Sequence, residues 1–226
     1  MDQLTELVII IAFGLVLLVG PLLYRFEVGM VETVLVNKNA ELTTALRQIK
    51  KLAIKDELTS AFNRRYLTDF MAQQKAMADR RSYVFSLCYV DLDFFKRVND
   101  RFGHSTGDAV LQQFADIAAQ VLREIDCVAR VGGEEFVLVL GGTPEQDARA
   151  AAERICAKLA NLQVSQIEPN YRITASIGIT AYRDHEEVLE TMGRADRALY
   201  DAKNNGRNRI VIAQHDPEPD LLRARG

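Results

Sequence analysis

Three polar clusters interrupt the apolar pattern of this 226-residue sequence, each where a strand or hairpin is expected to end. The first is Asp91-Leu92-Asp93-Phe94-Phe95-Lys96, directly after an apolar run. Carboxylates at a strand's end, ahead of a helix start, can hold a hard cation while helix N–H groups face phosphate oxygens. Asp93 can equally serve as a helix cap. The second is Gly132-Gly133-Glu134-Glu135-Phe136, two acids at a hairpin tip, for which a solvated turn is the plain alternative. The third is Lys203 with Arg207, four apart around Gly206. These two can neutralise phosphates or complement the carboxyl end of a helix dipole. Together the clusters supply acids for a metal and bases for a triphosphate, the requirements of nucleotidyl transfer.

Such groups need a scaffold, and the pattern from about residue 56 alternates strand and helix. An apolar run rich in β-formers predicts a strand over 83–90, followed by a short helix over 95–102 and a longer one over 108–122. Strands over 127–131 and 136–140 flank Gly132-Gly133 as a hairpin. Thr143-Pro144-Glu145-Gln146 reads as a capping box opening a helix that reaches about 162. A strand follows over 172–180. Asp184 with Glu187 suggests a second capping box before a helix to about 205, and 209–213 makes a last strand. The result is an α/β domain over 56–214, a sheet with helices packed against it, ahead of a flexible tail over 215–226. A net charge of -3 supplies no general basic field, so no nucleic-acid partner is expected and any polyanion must be held by local groups. Cys88, Cys127 and Cys156 are odd in number, lack metal-ligand spacing and sit in apolar runs, which suits small buried hydrophobes. His104, His185 and His215 are too scattered for a zinc site.

The first quarter differs in composition. Residues 7–24 carry no charge and are dominated by Val, Ile and Leu. As a helix this run covers roughly 27 Å, enough for a bilayer core. Asp2 and Glu6 precede it, unlike the basic start of a secretory signal. Arg25, Lys38, Arg47, Lys50, Lys51 and Lys55 all follow it, so the positive-inside rule predicts a single-pass anchor over 1–25 in the inner membrane with the remainder cytoplasmic. From Val28 the pattern is heptad. Val28, Leu35, Leu42 and Ile49 share one seam position, and Val31, Lys38, Ala45 and Leu52 lie three residues after each. This predicts a long N-terminal helix whose segment 26–55 pairs as a parallel coiled coil, making a homodimer. An amphipathic helix lying on the domain is the alternative.

Six stretches in order, 56–65, 91–100, 103–108, 130–136, 176–178 and 195–209, resemble the GGDEF family of diguanylate cyclases. The resemblance spans nearly all of the chain after the heptads. It implies a palm-like fold with a central antiparallel sheet flanked by helices. It also implies one GTP on each of two facing subunits, condensed into cyclic di-GMP with release of two pyrophosphates. On this basis Asp91, Glu134 and the carbonyl of Leu92 ligate Mg2+, with Mn2+ as a substitute. Phe94, Phe95 and Lys96 surround the phosphates, with Lys96 counted among the catalytic groups, and Lys203 and Arg207 grip them. Glu135 either activates the attacking hydroxyl or holds a second metal. Asn99 and Asp108, with His104 close by, select guanine. An Asp carboxylate accepts from N1–H and N2–H and an Asn amide donates to O6, whereas adenine presents the opposite polarity.

Two departures from the family pattern stand out. Glu134 stands where Asp is more frequent, offering the same carboxylate on a longer stem, and Ser60-Ala61-Phe62 replaces the usual Gly-Leu-Pro. Arg123 and Asp126 have the Arg-x-x-Asp spacing, and their offset from Gly132 matches the family's product-inhibition site. A surface ion pair at a helix end is the alternative. A catalytically dead domain serving as a GTP or cyclic di-GMP receptor would be expected to lose one of the acids, and all are present. A membrane state or a regulatory protein partner is expected to supply the input signal.

Overall fold

The first part of the chain is one helix, α1 (Gln3–Ile54), in a computed structural model that describes residues 3–80, 83–164, 167–168 and 171–214. The tail expected over 215–226 lies outside the described residues. At 1.5 Å per residue the helix is about 78 Å long. It runs unbroken across the expected boundary between 1–25 and 26–55. Of the heptad positions, Val31, Leu35, Leu42 and Ile49 present exposed apolar side chains, while the side chains of Val28 and Leu52 lie outside the described set. Lys38 pairs with Glu41 at 2.7 Å on the helix surface. Among the described residues no helix is long and apolar enough to cross a membrane, and most side chains of the run 7–24 are outside that set. The anchor therefore rests on sequence alone.

A second compact unit begins at Ile54. In chain order it comprises β1 (Phe62–Asn63), α2 (Arg64–Ala78), β2 (Phe85–Leu92), α3 (Phe95–Phe102), α4 (His104–Val121), β3 (Cys127–Arg130) and β4 (Glu135–Gly141). These are followed by α5 (Glu145–Ala160), β5 (Ala175–Ala181), α6 (Val188–Asn204) and β6 (Ile210–Ile212). The sheet order is β1-β3-β4-β2-β5-β6. Its centre is antiparallel, β3 to β4 to β2 to β5, and the edge strands β1 and β6 pair parallel with their neighbours.

Burial explains this arrangement. Strand β2 is buried at seven of its eight positions because helices cover both faces, so it reads as a continuous apolar run rather than an alternating one. Cys88, Val90 and Leu92 face a core shared with Val110, Phe114 and Ile155. Phe85 and Leu87 face the other side with Leu67, Met71 and Ala195. Helix α6 lies directly on β5. A Cβ at Gly178 would come within 2.1 Å of the Ala195 carbonyl and 2.3 Å of the Leu199 nitrogen, so only glycine fits. That contact fixes the C-terminal end of α6, where Lys203 lies.

Helix α4 starts four residues before the expected 108, and the two expected capping boxes also differ from the sequence reading. Helix α5 is capped by Pro144 with no side-chain bond; Thr143 turns back to donate to the Gly141 carbonyl, and Glu145 accepts from Ala181 N at 2.7 Å. The expected box over 143–146 is absent because Thr143, its cap, spends its hydroxyl on the Gly141 carbonyl at the end of β4. The second box exists but is shifted by three residues. Glu187 is the cap and Glu190 its reciprocal partner, while Glu186 binds Arg194 and Thr191.

Candidate active site

The acids of the first two clusters meet because β2 and β4 are antiparallel neighbours. Asp91 is in register with Glu135, and Leu92 N donates to the Glu134 carbonyl at 3.3 Å. Burial pushes the Asp91 carboxyl upward, opposed by Lys203, whose Nζ lies 2.8 Å from Oδ2. Glu134 is also raised, by burial first and then by the negative charge of Asp91. The hairpin tip is held by Arg130, which donates to Gly133 O at 3.1 and 2.8 Å and to Asp56 Oδ1 at 3.1 Å. Asp56 also accepts from Thr59 N and Oγ1, both at 2.8 Å, so the entry to the domain is tied to the acidic tip.

Two carboxylates and the Leu92 carbonyl are hard oxygen donors. Among the described residues no group of three or more His, Cys, Asp or Glu side chains is placed to hold a metal. Mg2+ does not require one, since it is bound by one or two carboxylates together with waters and substrate phosphates. The ammonium resting on Asp91 is a stand-in cation. The donor set thus fits Mg2+ or Mn2+ and does not fit a closed zinc centre.

Beyond Asp91 the chain turns sharply. Phe94 adopts a left-handed conformation (φ 55°) and caps α3 without a side-chain bond. The first turn of α3 has no acidic residue, so its N–H groups and dipole are available to phosphate. Lys96 is exposed there. Phe95 is 6% exposed and belongs to the core, so only its backbone can face a ligand. Phe94 is half-exposed, with the Arg207 guanidinium 4.7 Å and that of Arg97 4.4 Å from its ring centre. Arg207 is thereby placed beside Phe94 at the start of α3. Lys203 is bound to Asp91 instead.

Asp93 is neither a helix cap nor a free ligand. It is buried and accepts from Ser176 Oγ (2.7 Å), Thr174 Oγ1 (2.7 Å) and Asn208 N (2.9 Å). Arg207 and Asn208 both have positive φ, 62° and 45°, a costly conformation for non-glycine residues. Asp93 holds that turn and so positions Arg207. Sequence reading missed this role, because its partners lie 81 to 115 residues away.

The expected base-selecting residues sit on α3 and α4. Asn99 lies against Gly107, where a Cβ would meet its Oδ1 at 1.9 Å, so the glycine lets the amide pack beside the start of α4. His104 and Asp108 are exposed and one turn apart on α4. Their placement presents an acceptor and an amide from adjacent helices.

Arg123 and Asp126 form no ion pair among the described residues. Asp126 instead accepts from Arg123 N (2.8 Å) and Gly141 N (3.1 Å), closing the turn between α4 and β3. Its expected role as an acceptor for a base is thereby reduced to the lone pairs these bonds leave over. The Arg123 side chain lines a cavity of about 190 Å3 together with Asp126, Asp147 and Arg154. Arg154, from α5, had no sequence signal; helix packing brings it to the wall of the same cavity.

Residues 53–209, well over half of the chain, match the family model described as diguanylate cyclase, GGDEF domain. The chain is 39% identical over 132 residues to diguanylate cyclase A of Treponema denticola, covering 58% of this chain and 36% of that protein. It is 40% identical over 168 residues to diguanylate cyclase DgcM of Escherichia coli, covering 74% of this chain and 40% of that protein. The chain thus aligns with two fifths or less of these relatives' length. Among solved structures it resembles the coiled coil and GGDEF domain of DgcB from Caulobacter crescentus in complex with c-di-GMP. The TM-score there is 0.74 at 31% identity, covering 81% of this chain and 99% of that one. It also resembles the diguanylate cyclase SiaD in complex with its activator SiaC from Pseudomonas aeruginosa. That TM-score is 0.74 at 34% identity, covering 94% of this chain and 81% of that one.

Proposed function

The chain belongs to the GGDEF family of diguanylate cyclases, and from that premise we propose that it condenses two GTP molecules into cyclic di-GMP as a homodimer. The observation that carries this reading is the convergence of Asp91 and Glu134 at adjacent strand ends, with Lys203 and Arg207 beside them. Each subunit holds one GTP. The 3′-hydroxyl of one attacks the α-phosphate of the other, and pyrophosphate leaves; the same step with roles exchanged closes the ring. Neither half-site holds both reactants, so pairing of subunits supplies proximity.

Asp91, Glu134 and the Leu92 carbonyl would hold Mg2+ or Mn2+, which neutralises charge developing on the phosphorus oxygens and acidifies the attacking hydroxyl. The first turn of α3 and Lys96 receive the triphosphate, and Arg207 is kept in place by the Asp93 clasp. Glu135, in register with Asp91, is the carboxylate available to take the hydroxyl proton. Asn99 and Asp108 read the guanine edge with His104 alongside. Arg123 and Asp126, joined by Arg154, take cyclic di-GMP as an inhibitor.

The exposed seam of Leu35, Leu42 and Ile49 supports parallel pairing of α1. Placement at the inner membrane with the catalytic unit in the cytoplasm rests on the uncharged run 7–24 and the Lys and Arg bias after it. A regulatory protein partner fits the resemblance to a cyclase whose structure includes an activator. The purified chain given GTP and Mg2+ should yield cyclic di-GMP by mass spectrometry and nothing when the divalent ion is chelated. GTP binding without turnover would instead make it a receptor.

A further inference from the structure

The ion pair between Lys203 and Asp91 has an implication beyond charge balance. Asp91 is 8% exposed, and its Oδ2 is already occupied by an ammonium at 2.8 Å. The pair joins the end of β2 to the last turn of α6, two elements 112 residues apart, and it lies where the proposed metal would bind. Two cations on one buried carboxylate repel strongly, because the surroundings screen them less than water does. The α6 backbone cannot withdraw to relieve this, since it is packed directly on Gly178. The lysine side chain can, having a flexible four-carbon stem and 30% exposure. Arg207, in the turn that follows α6, already lies above Phe94 at the start of α3.

We propose that Lys203 occupies the cation position of Asp91 while nucleotide is absent and releases it by swinging to the triphosphate when nucleotide enters. This rests on the reading of Asp91 as a metal ligand. It makes Lys203 a positioning residue with two stations, and it makes metal binding dependent on nucleotide for a reason other than chelation by the phosphates. In the empty site the lysine keeps the carboxylate compensated. In the loaded site it becomes a phosphate ligand, so metal and nucleotide favour each other's binding. The alternative is that Lys203 stays on Oδ2 and orients Asp91 toward the metal on its other oxygen.

Mn2+ binding to the nucleotide-free chain, followed by its electron paramagnetic resonance signal, separates these arrangements. Lys203→Met should bind Mn2+ about five- to tenfold more tightly than the wild type, a coupling of ordinary size. Lys203→Gln should do the same, and Lys203→Arg, which keeps the cation, should bind as weakly as the wild type. In the presence of 3′-deoxy-GTP, which lacks the attacking hydroxyl, the order should reverse, with Lys203→Met weaker than the wild type. Weaker or unchanged Mn2+ binding by both Lys203→Met and Lys203→Gln without nucleotide would overturn the proposal. Asp91→Asn should lose the Mn2+ signal in every background. If it binds Mn2+ as the wild type does, the metal-site reading fails as well, and that outcome is distinct from a failure of the lysine exchange alone.

Discussion

Replacing Asp93 with alanine removes the acceptor for three donors at once: the hydroxyls of Ser176 and Thr174 and the N–H of Asn208. Asp93 is 6% exposed and Ser176 fully buried, so water cannot easily replace the lost partner. Hydrogen bonds to charged groups are worth roughly 1.5–3 kcal/mol each, and partial relaxation makes a total of about 3–5 kcal/mol reasonable for the alanine variant. Asparagine keeps one acceptor oxygen, and its amide can donate to hydroxyls that rotate, so Asp93→Asn should cost only about 1–2 kcal/mol. The two losses should appear as separate shifts of the urea midpoint, about 2 M for alanine at an m-value near 2 kcal/mol/M and less than 1 M for asparagine. Tyrosine emission is a suitable probe, since the chain has no tryptophan and six of its seven tyrosines lie beyond Ile54. Loosening the turn that carries Arg207 should also raise the KM for GTP by more than it lowers kcat. An Asp93→Ala variant within about 0.5 kcal/mol of the wild type, the range of ordinary surface changes, with an unchanged KM would refute the clasp.

Three other expectations can be checked independently. Arg123→Ala, and equally Arg154→Ala, should raise the inhibition constant for cyclic di-GMP about tenfold or more, the scale of losing one charged contact, with little change in initial rate; an unaltered constant would remove the cavity as the inhibitory site. Leu42→Lys places a charge in the exposed seam of α1 and should weaken dimerisation and lower specific activity on dilution, whereas Lys38→Leu with Ala45→Leu should do the reverse. Sedimentation beside rate against enzyme concentration decides this, and no change in either would show that the heptad is not the dimer contact. The Tyr182 hydroxyl, with the His185 N–H and Lys75, lowers Asp79 to about 2. A depressed carboxyl contributes stability above its unfolded pKa near 4, and the contribution is lost as pH falls toward 2. The gap in urea midpoint between wild type and Asp79→Asn should therefore be full at pH 6 and close between about pH 4 and pH 2; a pH-independent gap would contradict the assignment.

The local features were the legible ones. Helix α3 falls on the predicted residues 95–102, and the hairpin around Gly132-Gly133 was signalled by two glycines between β-rich runs. Helix α2 went unread although its signal was present: Asn63 caps it by accepting from Tyr66 N, and Leu67, Met71 and Ala78 repeat at helical spacing. The shifted starts of α5 and α6 have another cause. Thr143, Glu145 and Glu186 spend their side chains on the sheet and on Arg194, partners that no local window contains. The same limit governs the site. Motif order brought out Asp91, Glu134, Asn99 and Arg207, but the clasp of Asp93, the clamp of Arg130 on Asp56, the place of Arg154 in the wall of the Arg123 cavity and the resting place of Lys203 all depend on how the elements pack.

Glu134 carries the central claim, that the paired acids at the ends of β2 and β4 serve turnover rather than folding. The direct test compares the wild-type chain with Glu134→Gln at saturating GTP and Mg2+, with folding matched by tyrosine emission and GTP binding by equilibrium dialysis. The account predicts one cyclic di-GMP for every two pyrophosphates from the wild type, and a loss of at least about a hundredfold in rate for the variant, the scale of removing one group that stabilises charge in the transition state. Unimpaired synthesis by a folded Glu134→Gln protein would contradict it.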